Sequence, residues 1–483
     1  MAGCAVGPDF QRPAPPAVTG YTRGPLPAKT ASAEVSGGEE QSFVADRDIP
    51  EQWWTLFQSP QLNALIEKAI KTNPTLVAAQ AALRQAVELV YAQQGAFFPT
   101  LQASFSPSRQ KASNVFSPPL NTDQLIYNLF TTQVTVGFTP DVFGGNRRQV
   151  ESLKAQAGSQ RFQLQAAYVT LTSNVVTAAV QEASLRAQIA AVEEIIGIIT
   201  KSLGLVRRQF DLGYAARLDV AAQEAARAQA QQALPPLQKQ LEQNRDLLIA
   251  LAGGFPNDDP EEKFDLAALR QPKELPVSLP SKLVEQRPDV RAAEEQMHAA
   301  SAEIGVAVAN RLPQFTISAA YGGTATQFAQ MFANGNPFWS LAGNVAQTLF
   351  AGGTLLHLQR AAEAAFDQAA AQYRSTVITA FQNVADTLYT LQNDAESLKA
   401  AVAAERAAKV TLDLTLEQQQ AGYVSYLALL SAQQAYQQTL VTRVQAQANR
   451  FADTAALFQA LGGGWWNRPD TAQMIGPPTR CCP

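Results

Sequence analysis

The sequence predicts an α+β fold made of one half-domain repeated, and three observations carry that expectation. The first is a set of echoes at constant offset. Phe210, Gly213, Tyr214 and Leu218 are answered by Gln419, Gly422, Tyr423 and Leu427, and the two glycines stand 209 residues apart (422 less 213). The same offset relates Gly253 and Gly254 to Gly462 and Gly463. Pro74 and Pro99 are matched by Pro288 and Pro313, each pair 25 residues apart (99 less 74, 313 less 288). A period this long is a duplicated half-domain and not a solenoid unit. The second is the placement of proline: none of the 28 lies between Pro140 and Pro235 or between Pro337 and Pro469, which marks long helices. The third is a switch to alternating apolar and polar residues over short stretches, the period of half-buried strands.

Taken in order, residues 1–50 are rich in Pro, Gly, Ala and Ser and read as a tether. Residues 51–74 and 253–288 read as connecting segments, with a short helix over 61–71 that stops at Asn73 and Pro74. The first repeat, 75–252, opens with a helix over 75–97 ended by Pro99. Leu101, Ala103 and Phe105 then alternate with Gln102, Ser104 and Ser106, giving a strand over 100–107. After a polar stretch, Val134, Val136 and Phe138 give a strand over 132–139. A helix over 146–211 follows, on the order of 100 Å long at 1.5 Å per residue, and a return helix spans 218–252. The second repeat, 289–463, gives a helix, strands over 314–322 and 338–349, a long helix over 353–419 and a return helix over 427–461. Phe338 and Trp339 read as interface aromatics, and 464–483 is a tail.

Within the first long helix Phe162, Ala166, Val169, Ser173, Val176, Val180, Ala183 and Ala187 follow a 4-3 spacing, a seam of mostly small knobs suited to close packing. Pro235 and Pro236 interrupt the first return helix only; the second has Val444 and Gln445 there. Two adjacent prolines kink or break a helix, making the two hairpins mechanically unequal.

Composition narrows the function classes. Only 16% of residues are charged, against roughly 25% in typical soluble proteins. The net charge of −4 and the lack of a basic, aromatic-interleaved patch give no reason to expect nucleic acid. There is no apolar run of about 18 residues, so a membrane crossing would have to be β-structure. The three cysteines, Cys4, Cys481 and Cys482, frame no disulfide scaffold or zinc cluster. Met1, Ala2, Gly3 and Cys4 look like the end of a bacterial lipobox, which predicts a covalent lipid on Cys4; Cys481 and Cys482 receive no role. With His298 and His357 the only histidines, both read as helix-surface residues, and no nucleophile, P-loop or zinc motif, no enzyme or cofactor is expected.

Four strands cannot close a barrel, and lipid does not tolerate open sheet edges. If these strands span lipid, the chain assembles with its own copies; two give eight strands and three give twelve. Polar Gln, Ser and Thr on one strand face suit a water-filled duct.

The chain resembles the outer membrane factor family (TolC-like and OprM-like channels), in its lipoprotein branch. The carrying residues are Gly-Pro-Asp-Phe-Gln-Arg-Pro at 7–13 after Cys4, and Trp54 ahead of Leu62 and Leu65. With them go Asp141, Val142, Phe143, Gly144 and Gly145 after a strand, and Leu283 through Gln286, Arg287, Pro288, Asp289 and Val290. Ala-Phe-Gln-Asn-Val-Ala-Asp at 380–386 and Ala460, Leu461, Gly462, Gly463, Gly464 and Trp465 complete the set, spanning roughly residues 4 to 466. The resemblance implies a homotrimer with a twelve-stranded barrel in outer-membrane lipid and a long antiparallel α-helical barrel in the periplasm. Its partners would be a periplasmic adaptor and an inner-membrane pump, as the exit duct of a tripartite exporter.

By the same resemblance the helical tips that meet the adaptor match Gly213, Tyr214, Leu218 and Asp219 in one hairpin and Gly422, Tyr423 and Leu427 in the other. Family members often carry aspartates just after the second tip; Ala428 and Ser431 stand there, so a hydrophobic constriction at Leu427, Leu429 and Leu430 is expected instead. Toxic small molecules are the expected cargo, namely drugs, dyes or aromatic acids resembling fusaric acid; four methionines and two histidines argue against copper or silver. The alternative is a periplasmic coiled-coil adaptor or structural envelope lipoprotein, which would flank one helical hairpin with a lipoyl-like β-domain.

Overall fold

The computed structural model describes residues 5–25, 27–113, 125–258 and 263–468. Cys4, Cys481 and Cys482 lie outside them. The first half of the chain runs β1 (Ser42–Ala45), α1 (Pro60–Thr72), α2 (Pro74–Gln94), β2 (Thr100–Lys111), β3 (Ile126–Phe138), α3 (Gly145–Asp211), α4 (Arg217–Gln232) and α5 (Leu234–Leu251). The second runs β4 (Glu274–Val277), α6 (Pro280–Gln286), α7 (Pro288–Ala309), β5 (Gln314–Ala325), β6 (Pro337–Ala346), α8 (Thr354–Gln420) and α9 (Tyr426–Ala460). The duplication is so regular that α3 and α8 have the same length, 67 residues. Among the described residues no helix is apolar enough over its length to cross a membrane.

The chain divides into two compact units. One joins residues 1–13, 82–160 and 292–374 and contains a four-stranded antiparallel sheet in the order β2-β3-β5-β6. The other joins the described residues of 14–81, 161–291 and 375–468 and holds most of the helical packing together with a two-stranded parallel pair, β1 and β4.

The helical unit is cored by aromatics. Trp53 stacks on Phe458 with ring centres 5.1 Å apart, Phe57 meets Phe451 at 6.3 Å, and Trp54 meets Tyr168 at 6.3 Å. Phe162, Val169, Ser173, Val176, Val180 and Ala183 of the predicted seam are all buried there, while Ala166 and Ala187 are half-buried. All four glycine turns of the duplication close in one way. Tyr214 N–H reaches Gln209 O at 2.7 Å, Gly254 N–H reaches Ile249 O at 2.9 Å, Tyr423 N–H reaches Gln418 O at 2.9 Å and Gly463 N–H reaches Phe458 O at 2.8 Å. Each is a Schellman stop with a left-handed glycine, at Gly213, Gly253, Gly422 and Gly462.

Several element boundaries depart from the sequence expectation. The strand expected to end at 107 continues to Lys111, and its partner begins at Ile126 instead of 132. Pro107 does not stop β2 because β2 is an edge strand, where a missing N–H is tolerated. The strand expected over 338–349 ends at Ala346. The return helix expected over 218–252 is split in two, α4 and α5, at Ala233. Ala233 keeps helical φ and ψ of −73° and −19°, and Pro235 falls in the first turn of α5, where no helical N–H is lost.

The expectation of a loose tether over 1–50 is also corrected. β1 pairs in register with β4, from Ser42 opposite Glu274 to Ala45 opposite Val277. Ala33 and Val35 pack on the helical core at Leu398, Val402 and Ala446, and Gly37 passes so close to Phe451 that a Cβ would sit 2.5 Å from its ring. Gln41 and Thr30, both buried, bind the buried Arg450 at 2.9 Å and 3.2 Å. The segment is a strap laid onto the helices, and its low-complexity composition hides those contacts.

Candidate functional site: a two-faced sheet, an N-terminal seat and paired tips

The sheet register is continuous. β2 pairs with β3 residue for residue from Thr100 opposite Gly137 to Lys111 opposite Ile126, β3 with β5, and β5 with β6, with no slip inside any ladder. Side chains alternate along each strand, so the pairing fixes which residues share a face. Leu101, Ala103 and Phe105 align with Val136, Val134 and Thr132; these align with Ala319, Tyr321 and Gly323, and then with Leu341, Trp339 and Pro337. The opposite face carries Gln102, Ser104 and Ser106 beside Thr135, Gln133 and Thr131. One face is oily and the other is wet. The expected aromatic pair divides between them: Trp339 stands exposed on the apolar face and Phe338 half-buried on the polar one. β2 and β6 are the two outer strands, each paired on one side only among the described residues.

The turn from β3 into α3 explains the Asp141-to-Gly145 motif. Asp141 accepts the N–H groups of Asn146 and Arg147, both at 3.0 Å, capping α3. Gly144, at φ 79°, has no Cβ, and one would sit 2.6 Å from Ala5. Val6 N–H donates to Phe143 O at 3.0 Å, and Arg148 donates to Val6 O, Gly7 O and the Asp9 carboxylate. Burial works against the Arg148 charge, but its contacts to Asp9 and to Glu151, the latter at 2.8 Å, outweigh it and raise the Arg148 pKa. Phe10 stacks on the His298 ring at 4.4 Å, and His298 Nε2 lies 3.0 Å from Glu151. His298 is therefore a half-buried clamp, not the plain helix-surface residue expected. The chain immediately after Cys4 is held at the strand-to-helix junction.

Other motifs are structural joints. Arg287 grips Asp289 at 2.6 Å and donates to Ala460 O at 3.0 Å, closing the end of α9. Trp465 Nε1 donates to Gln286 O at 2.6 Å.

At the tips the structure leaves large side chains uncovered: Tyr214 and Tyr423 are each 83% exposed, Leu218 77% and Leu427 72%. Gly213 and Gly422, at φ 83° and 80°, have open space around them. Asp219 is half-buried and caps α4 through Ala216 N–H at 3.0 Å. The three leucines grouped as a constriction are separated. Leu429 is buried with Ile195, Ile199 and Leu412, because the helical period that exposes Leu427 turns Leu429 inward. Leu430 lines a cavity of about 340 Å³ beside Gln433, Gln434, Gln437 and Gln438. Leu427 alone stands fully out.

A polar ladder that the sequence did not disclose joins the two repeats through α3 and α9. Gln188 pairs with Gln445 at 3.3 Å, Glu194 with Tyr436 at 3.4 Å, Ser202 with Gln433 at 3.2 Å, and Gln209 with Tyr426. Burial, with Glu194 beside it, pushes the Tyr436 phenol up to about 12. Farther along α9, burial and the neighbouring Asp394 carboxylate push Asp453 up to about 8. Among the described residues no cluster of three or more His, Cys, Asp or Glu could hold a metal ion.

Comparison with known proteins agrees with this architecture. Residues 65–254 and 279–463, one block per repeat, match the family described as outer membrane efflux protein. The pyoverdine export outer membrane protein OpmQ of Pseudomonas putida is 27% identical over 445 residues, covering 91% of this chain and 94% of its own. The toluene efflux pump outer membrane protein TtgC of Pseudomonas putida is 27% identical over 479 residues, covering 98% and 95%. Among solved structures, the outer-membrane channel OprN superposes with a TM-score of 0.84 at 26% identity, covering 96% of this chain and all of its own. The Campylobacter jejuni CmeC outer membrane channel gives 0.87 at 20% identity, covering 98% of each, and speaks for the fold alone.

Proposed function

Because this chain belongs to the outer membrane efflux protein family, we propose that it is the exit duct of a tripartite exporter for toxic small molecules. The family is one of efflux channels in the outer membrane, not of enzymes. The observation that carries the finer reading is the two-faced sheet with two open edges. An apolar face suits lipid and a polar face suits a water-filled lumen, and lipid forbids unpaired edges. β2 of one copy paired with β6 of the next removes both edges. Three copies would make twelve strands and leave room for a channel; eight would leave little lumen.

The exposed tip residues Gly213, Tyr214, Leu218, Gly422, Tyr423 and Leu427 form the surface we assign to a periplasmic adaptor, which would link the channel to an inner-membrane pump. Leu427 is the constriction residue on this reading, while Leu429 belongs to the helical core and Leu430 to the cavity beside it. A lipid on Cys4 belongs to the same reading, and Ala5, the first described residue after it, is seated at Gly144. Cargo is proposed as drugs, dyes or aromatic acids; relatives are named for pyoverdine and for toluene.

The test is deletion of the gene in its own host, followed by a susceptibility panel of antibiotics, dyes, aromatic acids, solvents and transition metals. Hypersensitivity to one class, restored by the gene, supports the reading and names the cargo. A flat panel with an intact permeability barrier would favour a structural envelope lipoprotein.

A further inference from the structure

Among the described residues the four strands of the sheet contain two charged side chains, Arg109 and Lys111, and both are cationic. They lie in the final residues of β2, at the end of the sheet remote from the α2 and α3 junctions. Because the β2–β3 ladder runs without a bulge through Lys111 opposite Ile126, Arg109 and Lys111 share the face of Leu101, Ala103 and Phe105. They are on the apolar face, where charge is least expected. Both are exposed.

Their height on that face decides what they can do. Along β3 the row from Phe138 to Phe130 measures about 27 Å at ~3.4 Å per residue, or roughly 20 Å of height at a strand tilt of about 40°, so an apolar band about 25 Å tall ends about one same-face step farther on. Arg109 lies opposite Asn128, one same-face step beyond Phe130, and Lys111 lies one step farther, opposite the exposed Ile126. A lipid-facing cation at the bilayer midplane weakens folding by roughly thirty- to a thousandfold, but by about fivefold or less near the interface. Phe328 lies one to two same-face steps short of Arg109, with its ring 5.7 Å from Phe105 and 6.1 Å from Phe130 while its other side stays exposed. Aromatic side chains collect where the apolar band meets the headgroups. Thr132, the polar member of the β3 row, is satisfied by Met331 Sδ at 3.4 Å. Two cations beyond the aromatic level face a lipid headgroup layer, and their sign selects an anionic one.

We propose that Arg109 and Lys111 bind the phosphate groups of an anionic outer-leaflet glycolipid, with Phe328 against its acyl-headgroup boundary. The inference rests on the channel reading, which turns the apolar face toward lipid and places the strand end remote from the helices at the outer surface. Pairing of β2 with a strand of another copy would use its backbone edge and leave this face free.

The test uses the full-length trimer in phosphatidylcholine nanodiscs containing bis-phosphorylated lipid A, lipid A stripped of phosphate, or neither. Lipid retained after detergent extraction is measured by mass spectrometry. Wild type is expected to retain the phosphorylated lipid only. Arg109→Gln with Lys111→Gln should weaken retention about thirtyfold, at roughly fivefold per cation near an anionic surface. Arg109→Lys with Lys111→Arg should preserve it. The single Gln variants, expected to lose about fivefold each, serve if the double variant fails to form a heat-modifiable trimer. Equal retention by wild type and the Gln variants, or equal retention of both lipid A forms, overturns the proposal. So does displacement of the lipid by inorganic phosphate, which would assign the site to free phosphate. A wild-type chain that forms no trimer in the bilayer defeats the channel reading as well; a conducting trimer indifferent to lipid A defeats this inference alone.

Discussion

Asp219 and Ser425 carry the two halves of one capping box, one in each repeat. Asp219 Oδ2 accepts the Ala216 N–H at 3.0 Å, and Ser425 Oγ accepts the Ala428 N–H at 3.4 Å. At the offset of 209, Asp219 aligns with Ala428 and Ser425 aligns with Ala216. Each hairpin thus keeps the half that the other has lost. The repeats share a turn but have diverged in the residue that starts the return helix.

Completing each box should steady the tips. Ala216→Ser is expected to stabilise the first turn of α4 by about 1 kcal/mol, and Asp219→Ala to cost a similar amount. Hydrogen exchange of the amides in that turn checks both; unchanged protection in Asp219→Ala would remove the cap from the account.

The leucines beyond the second tip should behave differently. Leu427→Ser, at an exposed position, should raise leak of large antibiotics while leaving thermal stability within about 0.5 kcal/mol. Leu429→Ala, buried beside Ile195 and Ile199, should cost about 2–5 kcal/mol. Unaltered permeability in Leu427→Ser would count against Leu427 as a constriction.

The proline interruption is expected to be a local weak point. Giving the first repeat the residues of the second, Pro235→Val with Pro236→Gln, should fuse α4 and α5 into one helix as long-lived as α9. Slower amide exchange through residues 230–240 is the expected result. Unchanged exchange would mean that the weak point has another origin.

A half-buried carboxylate pair sets a pH dependence. Asp453 faces Asp394 and Arg450, and burial with the Asp394 charge raises its folded pKa to about 8. An acid raised in this way keeps its proton where the unfolded chain, with a carboxyl pKa near ~4, has lost it. Its contribution therefore favours folding at low pH and is lost as pH rises from about 4 to about 8. Asp453→Asn should raise the thermal midpoint more at pH 8 than at pH 5, read by tryptophan fluorescence of the detergent-extracted protein. An equal shift at both pH values would contradict the assignment.

Much of this fold was legible because it is repeated and local. Schellman glycines, proline-free helices and alternating strands are short-range signals, and the duplication shows each of them twice. The family reading rests on motifs that prove to be joints: Asp141 capping α3, Gly144 yielding space to Ala5, Arg287 closing α9. What escaped depends on partners distant in sequence. The strap over 28–45 gains its order from Arg450 and β4, and no local pattern reveals that. Arg109 and Lys111 fall beyond the strand expected over 100–107, and only the pairing with β3 brings them into the sheet. Leu427, Leu429 and Leu430 are adjacent in sequence but point three ways once the helix winds.

The central claim is that copies of this chain close a barrel by joining β2 of one to β6 of the next. It is tested most directly by disulfide cross-linking in the outer membrane. One cysteine would be placed at Ala103 on β2 and a second in turn at each of 340–344 on β6, in a chain lacking Cys481 and Cys482. The account predicts that one register gives covalent dimers and trimers and nothing larger, since a ring of three has no free edge. Monomers at every register, a ladder that stops at two, or an open ladder beyond three would contradict it.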